Sequence, residues 1–224
     1  MLVLMVMQIL PAATAQFRGY TPEEGYQYLA FGSYPQTENG DALPVVWRVL
    51  EIEDGCIYAV SDAVLDVRRI DADQWNYKGW TDSELFAWLQ TDMLNAMFMP
   101  AQRAALQSCP DLGKISLPSS DDLKNAAFGF GSAKSLRFSG TPYAVSQGLY
   151  QYNGGAYSPV WTRTPSSKPH AHRSTKVDGN IGFIGVESDD LGILPVIWIG
   201  EDCVTIDAGS GTRGDPFVLS HVIP

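Results

Sequence analysis

His170-Ala171-His172 is the sharpest chemical feature of this sequence. Residues i and i+2 of an extended strand face the same way, so two imidazoles at this spacing would meet one metal ion. Zinc takes a third protein ligand. Asp178, Glu187, Asp189 and Asp190 are donors nearby in the chain, but none stands at a diagnostic spacing. The preferred reading therefore leaves both histidines in solvent, in a loop flanked by Ser, Lys and Pro. Asp189-Asp190 and the Asp71/Asp73 pair are the oxygen donors that calcium would use. No DxDxDG loop surrounds them, so they read as surface acids, and Asp121-Asp122 reads as helix-terminal charge. No cofactor is expected, with calcium left open.

Hydrolytic chemistry needs a nucleophile and a base. No GxSxG elbow is present, and the histidines are His170, His172 and His221 alone. A glycosidase pair of carboxylates has no mark in the sequence. Cys56, Cys109 and Cys203 form no CxxC pair. That argues against a metal knuckle or a thioredoxin-like site. Their odd number allows one internal disulfide at most, and they read as buried thiols acting as small hydrophobes. The aromatic residues say more. Tyr143, Tyr150, Tyr152, Tyr157 and Trp161 surround Asn153-Gly154-Gly155. Tyr, Ser, Gly and Asn are the adaptable contact chemistry of binding loops, and sugar faces stack on such rings. Taken one at a time, each ring reads somewhat more readily as the filling of a loop-rich core.

The elements that must position these groups follow from hydrophobic patterning. The chain has 224 residues, 45% of them hydrophobic and 18% charged, which is a globular composition. Its net charge of −10 makes it a poor candidate for sequence-independent binding to nucleic acid or to an anionic membrane surface. MLVLMVMQIL at 1–10 is apolar but too short to span a bilayer. Ala13-Thr14-Ala15 follows as a small-x-small cleavage site, so residues 1–15 are expected to be a secretory signal peptide. A buried N-terminal helix or strand is the alternative. FGSYPQ (31–36), VVWRVL (45–50) and CIYAV (56–60) read as an antiparallel meander, with an Asp54-Gly55 hairpin turn. From Thr81 the period changes. Leu85, Trp88, Leu89, Met93, Leu94 and Met97 recur at three and four, giving an amphipathic helix with Thr81 or Asp82 at its N-cap. Pro100 breaks that helix and opens the next. Residues 119–125 read as a short helix capped by Ser119 or Ser120. Residues 177–186 read as a hairpin turning at Asp178-Gly179-Asn180, and LPVIWI (194–199) as a buried strand. Residues 201–224 are set apart as a tail, with flexible or turn-forming glycines before a short strand at 217–220. Arg213-Gly214-Asp215 is a common tripeptide and carries no weight alone.

These blocks, in this order, carry a resemblance. FGSYPQ, VVWRVL, AVSDAVLDVRRID (59–71), the helix at 80–98, KISLPSSDDLKN (114–125), PYA (142–144), VWTRTP (160–165), VDGNIG (177–182) and LPVIWI follow one another over residues 28–200. The chain resembles an uncharacterised family of exported bacterial domains. Their fold is C-type-lectin-like and related to the formylglycine-generating-enzyme group. GSGTRGDPFVL (209–219) is similar to the GxGTxxxPY-type endings of exported bacterial proteins. Two blocks depart from the family pattern. Val160-Trp161-Thr162-Arg163-Thr164 stands for Trp-Trp-Leu-Arg-Ser, and Leu194-Pro195-Val196 for Arg-Pro-Ala. The second arginine is lost, and with it a structural ion pair or hydrogen bond. The cysteine pair of the formylglycine-generating enzymes has no matching motif here, so that activity is not carried over.

The resemblance implies an α+β, C-type-lectin-like domain over residues 16–200, with a twisted antiparallel sheet, flanking helices and long loops. In related lectin-like proteins the segment matching 165–192 is a display surface. The expected role is an exported, extracytoplasmic, non-catalytic module that binds a glycan or a cell-surface protein, without nucleic acid and without membrane insertion once the signal is cleaved. The expected ligand residues are Lys168, His170, His172, Arg173, Lys176, Asp189 and Asp190, with Trp161 and Arg163 in support. A structural or adhesion domain of an envelope assembly, and an unrecognised hydrolase, are the alternatives.

Overall fold

The computed structural model describes residues 16–221 apart from 153, 169, 177 and 178. The segment expected to be a signal peptide, 1–15, lies outside the described residues, as do Asn153 and Asp178. The first strands form as their patterning predicts. β1 (Tyr28–Pro35) ends at its proline, and β2 (Ala42–Glu53) pairs antiparallel with it. Asp54 and Gly55, at φ 49° and 72°, make the tight turn into β3 (Cys56–Ser61). Positive φ at both corners suits the right-handed twist of a two-residue hairpin. β4 (Asp66–Val67) follows, then the helical region.

The helix does not start where the sequence suggests. Residues 80–82 form a 3-10 turn, and Ser83 is the N-cap: its Oγ accepts from the Phe86 N–H at 3.1 Å and donates to the Trp80 carbonyl at 2.6 Å. α1 (Glu84–Trp88) runs through a π-helical turn at Leu89–Met93 into α2 (Leu94–Met97). The buried residues explain that turn. Leu85, Leu89, Met93 and Met97 recur every four positions. In a regular α-helix four residues overshoot a full turn by about 40°, so the stripe would rotate away from the core. One wider turn takes back that drift and keeps all four side chains inward. α3 (Pro100–Ala105) opens at Pro100 as expected, and α4 (Pro142–Ser146) is capped by Thr141.

β5 (Ile115–Ser116) precedes two groups of later strands. β6 (Trp161–Pro165), β7 (Ala171–Thr175) and β8 (Ile181–Gly185) form a three-stranded antiparallel sheet. β9 (Gly192–Ile193) pairs with β4, and β10 (Val196–Gly200) is the expected buried strand. β11 (Val204–Ala208) and β12 (Phe217–His221) complete the main sheet, whose order is β11-β12-β1-β2-β3-β10-β5. All its pairings are antiparallel except β1 with β12. The described residues form a mixed α+β structure, mostly sheet with a few short helices and, among them, no barrel.

Both faces of the central strands are buried. Trp47, Ile57, Ala59, Ile197 and Ile199 pack under the helical region. Tyr58, Val60, Leu194 and Val196 pack with Phe128, Phe130 and Phe138 on the other side. Each fully buried large apolar side chain contributes about 1.5–3 kcal/mol. Among the described residues no helix is long and apolar enough to cross a membrane.

Two expectations are corrected here. Within residues 165–192 the hairpin is larger than the one read at 177–186, because β7, read as loop, pairs with β8 in register from Ala171↔Gly185 to Thr175↔Ile181. The segment set apart as a tail contributes two strands to the main sheet.

Candidate functional site

Trp161 and His172 are buried completely, so neither offers a contact surface. The Trp161 indole N–H donates to the Arg68 carbonyl at 2.8 Å. The sequence reading placed His172 in a solvated loop; it is instead buried on β7. Its Nδ1 faces the Thr162 carbonyl at 3.2 Å, which makes Nδ1 the donor and leaves Nε2 to accept from the Tyr77 hydroxyl. Burial holds its pKa below the ordinary 6.5, so the ring is neutral at neutral pH. His170 lies before the strand, at φ +55°, with its ring 5.4 Å from the exposed Trp75 indole. The i, i+2 argument for a shared metal thus fails at His170, which is not extended. Among the described residues no group of three His, Cys, Asp or Glu side chains is placed to hold a metal ion.

Arg163 is partly buried. It donates to the Leu117 carbonyl at 2.6 Å and pairs with Asp122 at 3.0 Å. Asp122, read from sequence as helix-terminal charge, also accepts from the Ser119 N–H at 2.6 Å and the Tyr58 hydroxyl at 3.0 Å. The pair thus ties β6 to the turn after β5. Arg173 is partly buried, and its carbonyl accepts from the Thr162 hydroxyl. These residues build the frame.

The remaining expected residues reach the surface. Lys176 and Asp190 line a cavity of about 230 Å³ whose walls include Tyr150, Tyr152, Phe183 and Ile184. Tyr150 and Phe183 are each 47% exposed, so the cleft presents two aromatic rings to solvent. Tyr150 stands edge-on to Tyr152 at 4.8 Å, and the Lys168 ammonium sits 5.9 Å from the Phe183 ring. The backbone fixes the arrangement. The Tyr150 N–H donates to the Asp190 carbonyl at 2.9 Å, and Thr175 and Val160 are tied through the Thr175 carbonyl-facing N–H and its hydroxyl. The cleft therefore joins two regions that the sequence offered separately, the tyrosine-rich segment and the segment 165–192. Phe183 and Ile184 were missed. Their signal was an apolar pair inside a predicted hairpin, where an apolar residue is read as core. Asp189 turns to a different cavity, beside Arg68 and Arg69.

Thiol chemistry is muted. Cys56, Cys109 and Cys203 are free and half-buried, rather than the fully buried thiols expected. Burial raises all three, Cys56 to about 11, so they are protonated near neutrality and poor nucleophiles.

No protein-family model, curated protein or solved structure matches the chain.

Proposed function

We propose that the protein is an exported, C-type-lectin-like ligand-binding module, and that the cleft of Tyr150, Tyr152, Phe183, Lys176 and Asp190 takes a glycan. The exposed pair of rings carries this reading. An apolar ring left in solvent at the wall of a concave site offers stacking area that water does not satisfy. Lys176 and Asp190 add a donor and an acceptor around it. A few polar groups in an aromatic cleft are the composition of small-ligand sites. The resemblance to exported lectin-like domains supplies the compartment and the choice of glycan over protein. No step of the reading needs a catalytic residue or a cofactor, and calcium enters only as a test condition.

The test is a screen of the purified protein against glycans and peptidoglycan fragments, each with calcium and with chelator. Saturable binding is expected. Phe183→Ala and Tyr150→Ala are each expected to weaken it about tenfold, or about 1.4 kcal/mol. Both variants binding as tightly as the parent would remove the site from this cleft. Absence of any binding would favour the envelope-scaffold role.

A further inference from the structure

The aromatic cleft has a neighbour. Asp190 lines the cleft, while Asp189 lines a second, polar cavity of about 320 Å³. The chain after α4 repeats this division: Gln147 lines the second cavity and Tyr150 the first. Tyr150 is hydrogen-bonded to Asp190, so both cavities are bordered by these same two joined segments.

Arg68 is the unusual residue of the second cavity. Its guanidinium lies over the Trp88 ring, 4.1 Å from the centroid. Its backbone is held on both sides, the N–H by the Leu191 carbonyl and the carbonyl by the Trp161 indole. Yet among the described residues the Arg68 guanidinium makes no ion pair, in a chain with 25 acids and 15 Lys and Arg. The nearest acid in sequence, Asp66, feels the charge of Arg68, but its oxygens are engaged by the Tyr34 hydroxyl and the Val67 N–H. A guanidinium laid flat on an indole keeps its plane while its N–H edge stays free. That edge matches a carboxylate, which accepts two parallel hydrogen bonds from it.

The cavity's other charges limit the ligand. Arg69 stands 3.6 Å from Glu84, and Asp189 is the remaining acid, so two positive charges face two negative ones. A near-neutral lining suits a single carboxylate and disfavours a dense polyanion. We infer that Arg68 is a carboxylate subsite adjoining the aromatic cleft, and that the ligand is a glycan in which a uronic acid alternates with a neutral sugar. This rests on the cleft reading for its neutral half and on Arg68 alone for its acidic half.

The experiment measures calorimetric binding of hyaluronan and heparosan oligosaccharides, both alternating glucuronate with N-acetylglucosamine, beside their carboxyl methyl esters. A heparin oligosaccharide and a polyglutamate peptide complete the panel. At least one acid oligosaccharide is expected to bind about tenfold or more tightly than its ester, the loss expected when a charge-assisted pair is removed. Arg68→Gln should bring the acid down to the level of the ester, and Arg68→Lys should recover part of the gap. Phe183→Ala should weaken acid and ester alike. Equal binding of acid and ester, or an unchanged Arg68→Gln, would overturn the carboxylate subsite while leaving the cleft reading in place. Loss in Arg68→Gln with no change in Phe183→Ala would instead overturn the cleft and the joint site. Silence of both acids, or tighter binding of heparin or of polyglutamate, would also overturn the inference.

Discussion

His172 shows what one buried side chain asks of its surroundings. Neutral, it donates from Nδ1 to Thr162 and accepts at Nε2 from Tyr77, so both ring nitrogens are satisfied. Protonated, it would present a second donor to a hydroxyl already turned toward it, inside an apolar site. Its folded pKa is therefore held below its unfolded one. Above about pH 6.5 both states are neutral and the stabilisation is complete. As pH falls below that value, the unfolded chain takes up a proton that the folded chain refuses, and stability is lost toward the lowered folded pKa. Asp66 acts with the opposite sign. Burial raises its pKa, so its contribution is full below the ordinary carboxylate value and is lost as pH rises through the raised one. Urea midpoints measured across pH 5 to 7 should fall on the acid side for the parent. The slope should flatten in His172→Gln, which keeps an acceptor but does not titrate. An equal slope in both proteins would assign the acid sensitivity elsewhere. The sequence exposed these histidines as a chemical pair but not their separation. That depends on the left-handed backbone at His170 and on a loop, bearing Trp75 and Tyr77, that arrives from a hundred positions upstream in round terms.

Elements with strong periodicity were legible, and those with weak periodicity were not. β2, β3, β10 and the long helix announce themselves through alternating or helical apolar spacing. β7 does not, because the residues it buries include His172 and Thr175, whose polar groups are satisfied by partners invisible in a linear pattern. The helix start was misplaced by one or two residues for a local reason. Thr81 and Asp82 have cap chemistry, but they lie within the 3-10 turn begun at Trp80. Ser83 follows with extended dihedrals and takes the cap. Ser83→Ala should therefore cost about 1 kcal/mol in urea denaturation. Thr81→Ala, which removes a side chain with no capping bond, should leave the midpoint nearly unchanged. The reverse ranking would return the cap to Thr81.

At the scale of the molecule, the C-terminal strands close one edge of the main sheet, and of the two only β12 was legible, as the short strand expected at 217–220. The glycines between β11 and β12 suggest a loose tail. Two of them are instead required by a tight connection. Gly209 and Gly211 sit at φ +92° and +75°, and a Cβ on Gly209 would lie 2.0 Å from the Pro216 carbonyl oxygen. The turn returns the chain so that β12 lies parallel to β1, with Leu29 opposite Phe217. Pairing between such distant parts of a chain leaves no local trace, since parallel neighbours have no hairpin to mark them. The seam is closed by packing. Leu219 and Val204 are buried in the cluster that holds Trp47 and Leu29. Phe217 meets Phe17 edge-on at 6.4 Å, and Arg213 pairs with Asp62, which also pairs with Arg48 of β2. Leu219→Ala should cost about 2–4 kcal/mol, because the rigid sheet around it cannot collapse into the void. Arg213→Ala, whose guanidinium is largely exposed, should cost less than about 1 kcal/mol. Deleting residues 204–221 should do more than either. It bares the β1 edge and the apolar face beneath it, and the expected result is loss of cooperative thermal unfolding with aggregation in place of a folded monomer. A truncated protein that still unfolds cooperatively near the parent's temperature would show that these strands decorate the sheet rather than close it.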